Sequence, residues 1–434
     1  MKKKFLSLFS LTMCALVATS CGGGANYGDW ESVEKTYLEE INIGTNKKVS
    51  DAKLAKFTKE NPLRVALVTD SGTLNDHSFN ESAWKGVNEF AVNNGGGKVD
   101  PKTNKVSTGI IHTQYYQPSK DAYDTEGRFA AMKEAATNFK ANVIVLPGFL
   151  FQGAIKMAIE DQASFKDVHL LALDCVKEDD AYQPYEYTDN VTSVIYREEQ
   201  SGFLAGYAAV KEGFRKLGFV GGMAVPAVVR YGSGYVQGAA YAAEELKLTE
   251  PVSMQYYYAG QFGPTAEATS FANRWYSNGD ADVIFACGGA VYQSVLEASK
   301  TNNDAKWIGV DVNQAADTSL KGSSVLTSAM KNLQDAVEVL LTTYCENDQK
   351  WGSDLAKNVV TVGCKSDSCK LPTPEADGEG CWNFENFTVP EYEEFYKKVK
   401  SEQVKVNSFS DNEVLKANNF GVNPAYCTVN YIGQ

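Results

Sequence analysis

The sequence predicts an α/β protein of two lobes, each a parallel sheet with helices on both faces. Three observations predict it. Strand-like and helix-like patterns alternate without a break from Arg64 onward, which is the signature of βαβ units. The strand segments are short apolar runs, such as residues 65–68, suited to burial on both faces. Ten such segments occur in 434 residues, too many for one compact sheet, so they divide into two.

Taken in order, the chain opens with a leader at residues 1–20. Lys2, Lys3 and Lys4 form a basic region, and residues 5–18 are an apolar stretch too short for an ordinary membrane span. It ends in Ala18-Thr19-Ser20-Cys21, followed by Gly22, Gly23 and Gly24. Small residues before a cysteine, then a glycine tract, resemble a bacterial lipobox, with Ala18 where leucine is usual. Acylated at Cys21, the chain is expected to sit on the extracytoplasmic face of a cell membrane, because two or three acyl chains suffice for stable anchoring. A plain signal peptide with an incidental Cys21 is the alternative. Residues 21–61 are polar, with a charged, weakly helical piece at 30–41, and read as a tether with little structure of its own.

The first strand, 64–69, runs into a polar loop from Asp70 to His77. Ser78 precedes Glu81 by three residues, the spacing of a capping box. The helix that follows carries Phe79, Ala83, Val87 and Phe90 on one face. The polar loop lies at the carboxyl end of a strand, the edge where open α/β sheets bind ligands. Further strands are expected at 108–113, 142–146, 168–173, 191–196, 216–220, 252–258, 281–286, 306–310 and 324–329. Helices are expected at 126–139, 152–162, 198–212 and 231–246. The acidic stretch 178–190, interrupted by Pro184, marks the break between lobes near residues 188–195. Residues 401–434 read as a polar extension that Phe420, Tyr426 and Tyr431 can pack onto the body.

The net charge is −13, or about −16 without the three leader lysines. Such a chain has nothing to neutralise phosphates, so nucleic acid is not an expected partner. Of nine cysteines, Cys14 lies in the leader and Cys21 is the expected anchor. Cys175, Cys287 and Cys345 sit in or beside apolar runs and read as buried small hydrophobes. Cys364, Cys369, Cys381 and Cys427 lie in a polar region where an extracellular context permits disulfides, with three pairings open. Their spacing matches no zinc ribbon or finger, and no metal or other cofactor is expected.

Several segments in order resemble one family. VTDSGTLNDHSFNESAWKG at 68–86 is similar to the signature of the basic membrane protein family of lipoproteins. Residues 196–206, 217–223 (LGFVGGM), 230–235 and 307–311 (WIGVD) resemble further family signatures. The resemblance runs from about 64 to 345 and more weakly to about 405. It implies a two-lobed, type I periplasmic-binding-protein fold with the ligand in the interlobe cleft. It also implies a substrate-binding lipoprotein of an ABC importer, with permease and ATPase subunits as partners and a purine nucleoside as ligand, working as a monomer. The family's three crossings between lobes imply lobe one at 62–192 and 315–346, and lobe two at 193–314 and 347–400.

A nucleoside needs aromatic faces for its base, an acceptor for its vicinal hydroxyls, and polar groups in the plane of the base. By resemblance, Phe79 supplies one ring and Tyr231 the opposite one, with Tyr235 as a fallback. Without the resemblance, Phe79 is the first core residue of its helix. Asp70, Asn75 and Asn80 are implied ligand contacts, although Asp70 and Asn75 suit turn formation as well. Asp311 and Lys331 are implied to grip the ribose as acceptor and donor; a structural ion pair across the hinge is the plainer reading. Gly288 and Gly289 fit a close backbone approach at the same edge, or equally the turn that starts a helix. Purine receptors usually carry an Asp at the position matched by Gly153, and Gln152 is the candidate to replace it; a shifted helix register or a ligand other than a purine is the alternative.

No nucleophile, phosphate-loop or zinc-protease motif accompanies His77, His112 and His169, so the chain reads as a receptor rather than an enzyme. A receptor for another solute, such as riboflavin or a sugar, is the alternative within the class. A surface adhesin lipoprotein is the alternative outside it.

Overall fold

The computed structural model describes residues 33–70, 73–119, 124–302, 304–317, 320, 324–412, 415 and 419–432. The leader, Cys21 and Trp30 lie outside the described residues. The strands of the first half are β1 (Leu63–Val68), β2 (Val99–Asp100), β3 (Lys105–Val106), β4 (Ile111–Tyr116), β5 (Val143–Pro147), β6 (His169–Leu173) and β7 (Val191–Tyr196). Those of the second half are β8 (Lys216–Gly221), β9 (Val252–Tyr258), β10 (Val283–Cys287), β11 (Lys306–Asp311), β12 (Val325–Lys331), β13 (Val359–Val362), β14 (Cys369–Lys370) and β15 (Cys427–Ile432).

Two sheets form, one per lobe. The first is all parallel, in the order β13–β7–β6–β5–β1–β4. The second has the order β14–β12–β11–β10–β8–β9–β15, parallel except for β14. Both are sandwiched by helices, so their central strands are buried on both faces; β5 and β10 are buried at every residue. That is why these strands read as unbroken apolar runs rather than as alternating ones. All ten expected strands are present.

The chain crosses between lobes three times: at Arg197 after β7, at Asn332 after β12, and between β13 and β14. Two segments therefore sit in a different lobe from the expected division. β12 belongs to the second sheet, because its seven buried residues need β11 beside them. β13 belongs to the first, where it covers the exposed edge of β7. Strand pairing decides both, and neither is encoded in composition.

Helix packing between Glu198–Glu212 and Pro226–Glu245 is set by glycines. A Cβ on Gly202 or Gly206 would strike the carbonyl oxygens of Tyr231 and Tyr235. One on Gly234 or Gly238 would strike those of Glu199 and Phe203. The two backbones thus interlock at a small-residue seam. The second helix begins at Pro226, five residues before the expected start, with proline in its first turn as helix geometry favours.

Neither end of the described chain is a loose appendage. From Thr36 to Lys56 the expected tether is a strap laid across the hinge, and no helix forms at residues 33–41. Thr36 bonds Asn407 and Ser408, Ile41 bonds the carbonyl of Thr361, and Lys47 pairs with Asp335 and Glu338. At its centre the buried Glu40 accepts from Arg197 at 3.1 Å, Gln200 at 2.8 Å and the Lys365 amide at 2.9 Å. At the other end, the expected polar extension supplies β15, which pairs in parallel with β9 over six residues.

The seven described cysteines are all buried and unbonded. Cys364 donates its thiol to the carbonyl of Cys369 at 3.1 Å instead of forming a disulfide. Among the described residues, no helix is long and apolar enough to cross a membrane.

Candidate functional site

Four polar residues stand at or just beyond the carboxyl ends of buried strands. Asp70 follows β1, Asp174 follows β6, Asp311 ends β11 and Lys331 ends β12. Because the two sheets face each other across the hinge, these four meet at the floor of one cleft, about 490 Å³ in volume.

The helix Phe79–Asn93 brings the polar loop's residues to this floor. Ser78 does not form the expected capping box. Its hydroxyl is turned across the cleft to donate to Asp311 Oδ2 at 2.6 Å, and Glu81 accepts from the His77 amide at 3.1 Å. Asp76 caps the helix instead, accepting from the amides of Ser78, Asn80 and Glu81 at 2.9–3.1 Å. Burial raises the Asp76 carboxyl to about 6, against the pull of those amides. Asn80, buried, donates to Asp70 at 3.1 Å and to Asp76 at 2.9 Å. It fixes the two carboxylates rather than standing free.

The floor is a chain of buried charges. Lys331 forms an ion pair with Asp174 and another with Glu198, the latter at 2.6 Å. Glu198 in turn accepts from Arg230 at 2.5 Å. Burial lowers the pKa of the Lys331 ammonium, but Asp174, Glu198 and Asp311 outweigh it, so it ends above its usual range. For Asp174, burial prevails and lifts the carboxyl to about 7. Asp174 belongs to the first lobe and Lys331 to the second, so this pair bridges the hinge, as Ser78–Asp311 does. The Lys331 ammonium also lies 4.8 Å from the Phe79 ring centroid and 4.6 Å from that of Tyr196, close enough for cation–π attraction.

The expected site residues Asp70, Asn75, Phe79, Asn80, Tyr231, Gly288, Asp311 and Lys331 all line the cleft. Three of them differ from expectation in arrangement. Asp311 and Lys331 are neighbours, but no ion pair forms between them: Asp311 is held by Ser78 and by the Tyr231 hydroxyl at 3.3 Å, and Lys331 by Asp174 and Glu198. Tyr231 is only 2% exposed, with its ring edge-on to Phe285 at 5.9 Å, so it presents little face to a ligand. Tyr235 is wholly buried, a packing residue of the helix seam. Half-buried Phe262 and Phe149 line the cleft with Phe79 and offer more ring surface. Gly288 adopts φ 128°, a conformation that favours glycine, where the backbone closes on Gly222.

Gln152 is not a wall residue. Its side-chain oxygen accepts from the Val176 amide at 2.9 Å, inside lobe one. Gly153 faces the same way: its amide donates to Asp180 at 3.2 Å, and a Cβ there would run into the Asp180 carboxylate. A side chain at 153 is thus replaced in space by Asp180, away from the cleft. Asp174, Glu198 and Arg230 were absent from the sequence-based candidates. A signal for Asp174 existed, since it follows a buried strand just as Asp70 does.

Comparison with known proteins adds the following. Residues 63–412 match the family model described as Bmp, ABC transporter substrate-binding protein PnrA-like. The ABC transporter nucleoside-binding protein BmpA of Lactococcus lactis subsp. cremoris is 29% identical over 344 residues, covering 73% of this chain and 88% of that protein. The CD4+ T-cell-stimulating antigen of Listeria monocytogenes is 27% identical over 371 residues, covering 82% and 91%. Among solved structures, an ABC transporter solute-binding protein from Aeropyrum pernix K1 superposes with TM-score 0.61 at 20% identity, covering 83% of this chain and 99% of that one. Another from Conexibacter woesei gives 0.57 at 18% identity, covering 80% and 100%. At such identities these two show the fold alone.

Proposed function

We propose that this chain, which belongs to the Bmp family of PnrA-like ABC transporter substrate-binding proteins, captures a nucleoside, of purine type, in its interlobe cleft and delivers it to a membrane permease. The observation that carries this reading is the pairing of an accessible Phe79 ring with a floor of carboxylates and one ammonium drawn from both lobes. A flat base stacks on an aromatic face, and a ribose brings hydroxyls that donate to carboxylates and accept from Lys331. Because the floor groups come from both lobes, a ligand touching them favours the closed arrangement, the hinge motion by which such receptors hold a solute. The name of the Lactococcus relative, a nucleoside-binding protein, supports the ligand class. We further propose that acylated Cys21 anchors the body outside the cell membrane. Replacing Cys21 by serine should then release the protein from the membrane fraction.

The test is a thermal-shift screen of the chain without its leader against adenosine, guanosine, inosine, free bases, riboflavin and sugars. A ligand at 100 times its Kd adds about 2.7 kcal/mol of stability, enough to move the melting point visibly. A shift with a purine nucleoside and none with ribose supports the reading. A shift with riboflavin or a sugar alone replaces the ligand while keeping the receptor. No shift with any solute favours the adhesin alternative.

A further inference from the structure

The carboxylate of Asp174 is only half used. One oxygen, Oδ2, takes the Lys331 ammonium. The other, Oδ1, is buried and has no hydrogen-bond partner among the described residues. Asp174 is 8% exposed and lines the cleft, so a ligand group held in the cleft stands beside this carboxylate. An unpaired buried acceptor costs about 1–3 kcal/mol, and more when charged. Such a cost persists where a ligand group relieves it.

The backbone is shaped to present this group. Asp174 sits at φ 64°, in the left-handed region that few non-glycine residues occupy. Its amide donates to the Val194 carbonyl at 2.8 Å, which keeps it at the end of the sheet while the chain turns sharply. The side chain is thereby sent over the strand end toward Lys331. The contrast with Asp311 is informative. Both oxygens of Asp311 are already engaged, by Ser78 and Tyr231, whereas Asp174 has an oxygen with nothing on it.

We infer that Asp174 is a ligand-binding residue, whose Oδ1 accepts a hydrogen bond from a sugar hydroxyl of the captured nucleoside beside Lys331. The inference rests on the nucleoside reading and deepens it. Lys331 and Asp174 act together, with the ammonium donating to one sugar oxygen and the carboxylate accepting from a hydroxyl. Phe79, over which Lys331 lies, places the base next to them.

The test is a calorimetric binding cycle. Wild type, Asp174→Ala and Asp174→Leu are titrated with adenosine, guanosine and inosine, and with the 2′-, 3′- and 5′-deoxy analogues of whichever binds. For the wild type, one deoxy analogue should bind at least 10-fold more weakly than its parent. In Asp174→Ala that same ratio should fall below 2-fold, while the ratios for the other two analogues are unchanged. A residue that merely positions Lys331 would weaken all ligands alike and leave every ratio as in the wild type, and that result overturns the inference. If Asp174→Ala fails to fold, Asp174→Leu, which likewise lacks an acceptor, carries the same comparison. A wild type that binds no nucleoside overturns the functional reading and this inference with it. A wild type that binds nucleosides, with ratios unmoved by either variant, overturns this inference alone.

Discussion

Replacing Lys331 by methionine removes the cation ion-paired to both Asp174 and Glu198 in the cleft floor. Breaking a buried ion pair by deleting one partner costs about 3–5 kcal/mol, because a charge is left without compensation. Glu198 keeps Arg230 at 2.5 Å, so the group left exposed to the loss is Asp174. Asp174 can escape by taking a proton, and the free energy of that protonation caps the cost. In the folded protein that carboxyl already lies at about 7 beside Lys331, and each pH unit above it adds about 1.4 kcal/mol, which gives close to nothing at pH 5 and about 1.4 kcal/mol at pH 8. A loss of up to about 1.4 kcal/mol is therefore expected at pH 8 and little or none at pH 5. Urea unfolding of the chain without its leader, followed by tryptophan fluorescence at both pH values, measures the difference. A variant as stable as the wild type at pH 8, or one that loses the same amount at both, would refute the assignment of Asp174 as the stranded group.

Three further outcomes are expected. Gly238→Ala drives a Cβ into the Phe203 carbonyl at the helix seam and should cost about 3 kcal/mol or more in urea unfolding, since backbone on both sides leaves no room to relax; an unchanged midpoint would mean that the helices can separate freely. Glu40→Ala leaves buried Arg197 with Glu199 at 2.8 Å as its main partner, and should lower stability by about 2–4 kcal/mol and speed proteolysis within residues 33–57; a strap that contributes nothing would show neither. For pH, Asp76 (about 6) and Asp174 (about 7) both lie above the unfolded value of 3.8. Their contribution to stability is complete below 3.8 and is lost as pH rises through 6 to 7, so the wild type should lose urea resistance between pH 5 and 8. Asp174→Asn should lose less over the same range, and an equal slope for both proteins would count against the Asp174 value.

Much of the site was legible before the fold was known, and for one reason. Buried parallel strands end at the ligand edge of a sheet, so a polar residue just after an apolar run marks that edge. Asp70, Asp311 and Lys331 were found that way with the help of the family signatures, and all three line the cleft. Gln152 was misplaced because a helix of 3.6 residues per turn sends neighbours in different directions, and position 152 turns inward to Val176. The capping role was given to Ser78 because spacing alone cannot show that a hydroxyl has a better partner 233 residues away in Asp311.

What the sequence by itself determined is what depends on near neighbours: the ten strands, the principal helices, the two-sheet α/β class and the polar strand ends. Apolar runs and turn residues act locally, and their effect can be read in a window of a few residues. Only the tertiary structure decided which lobe holds β12 and β13, that residues 33–57 strap the hinge, that β15 completes the second sheet, and that Lys331 pairs with Asp174 and Glu198 rather than Asp311. Each of these is a contact between segments far apart in the chain. Strand edges accept any backbone and buried charges accept any opposite charge, so the partner is chosen by the geometry of the assembled lobes.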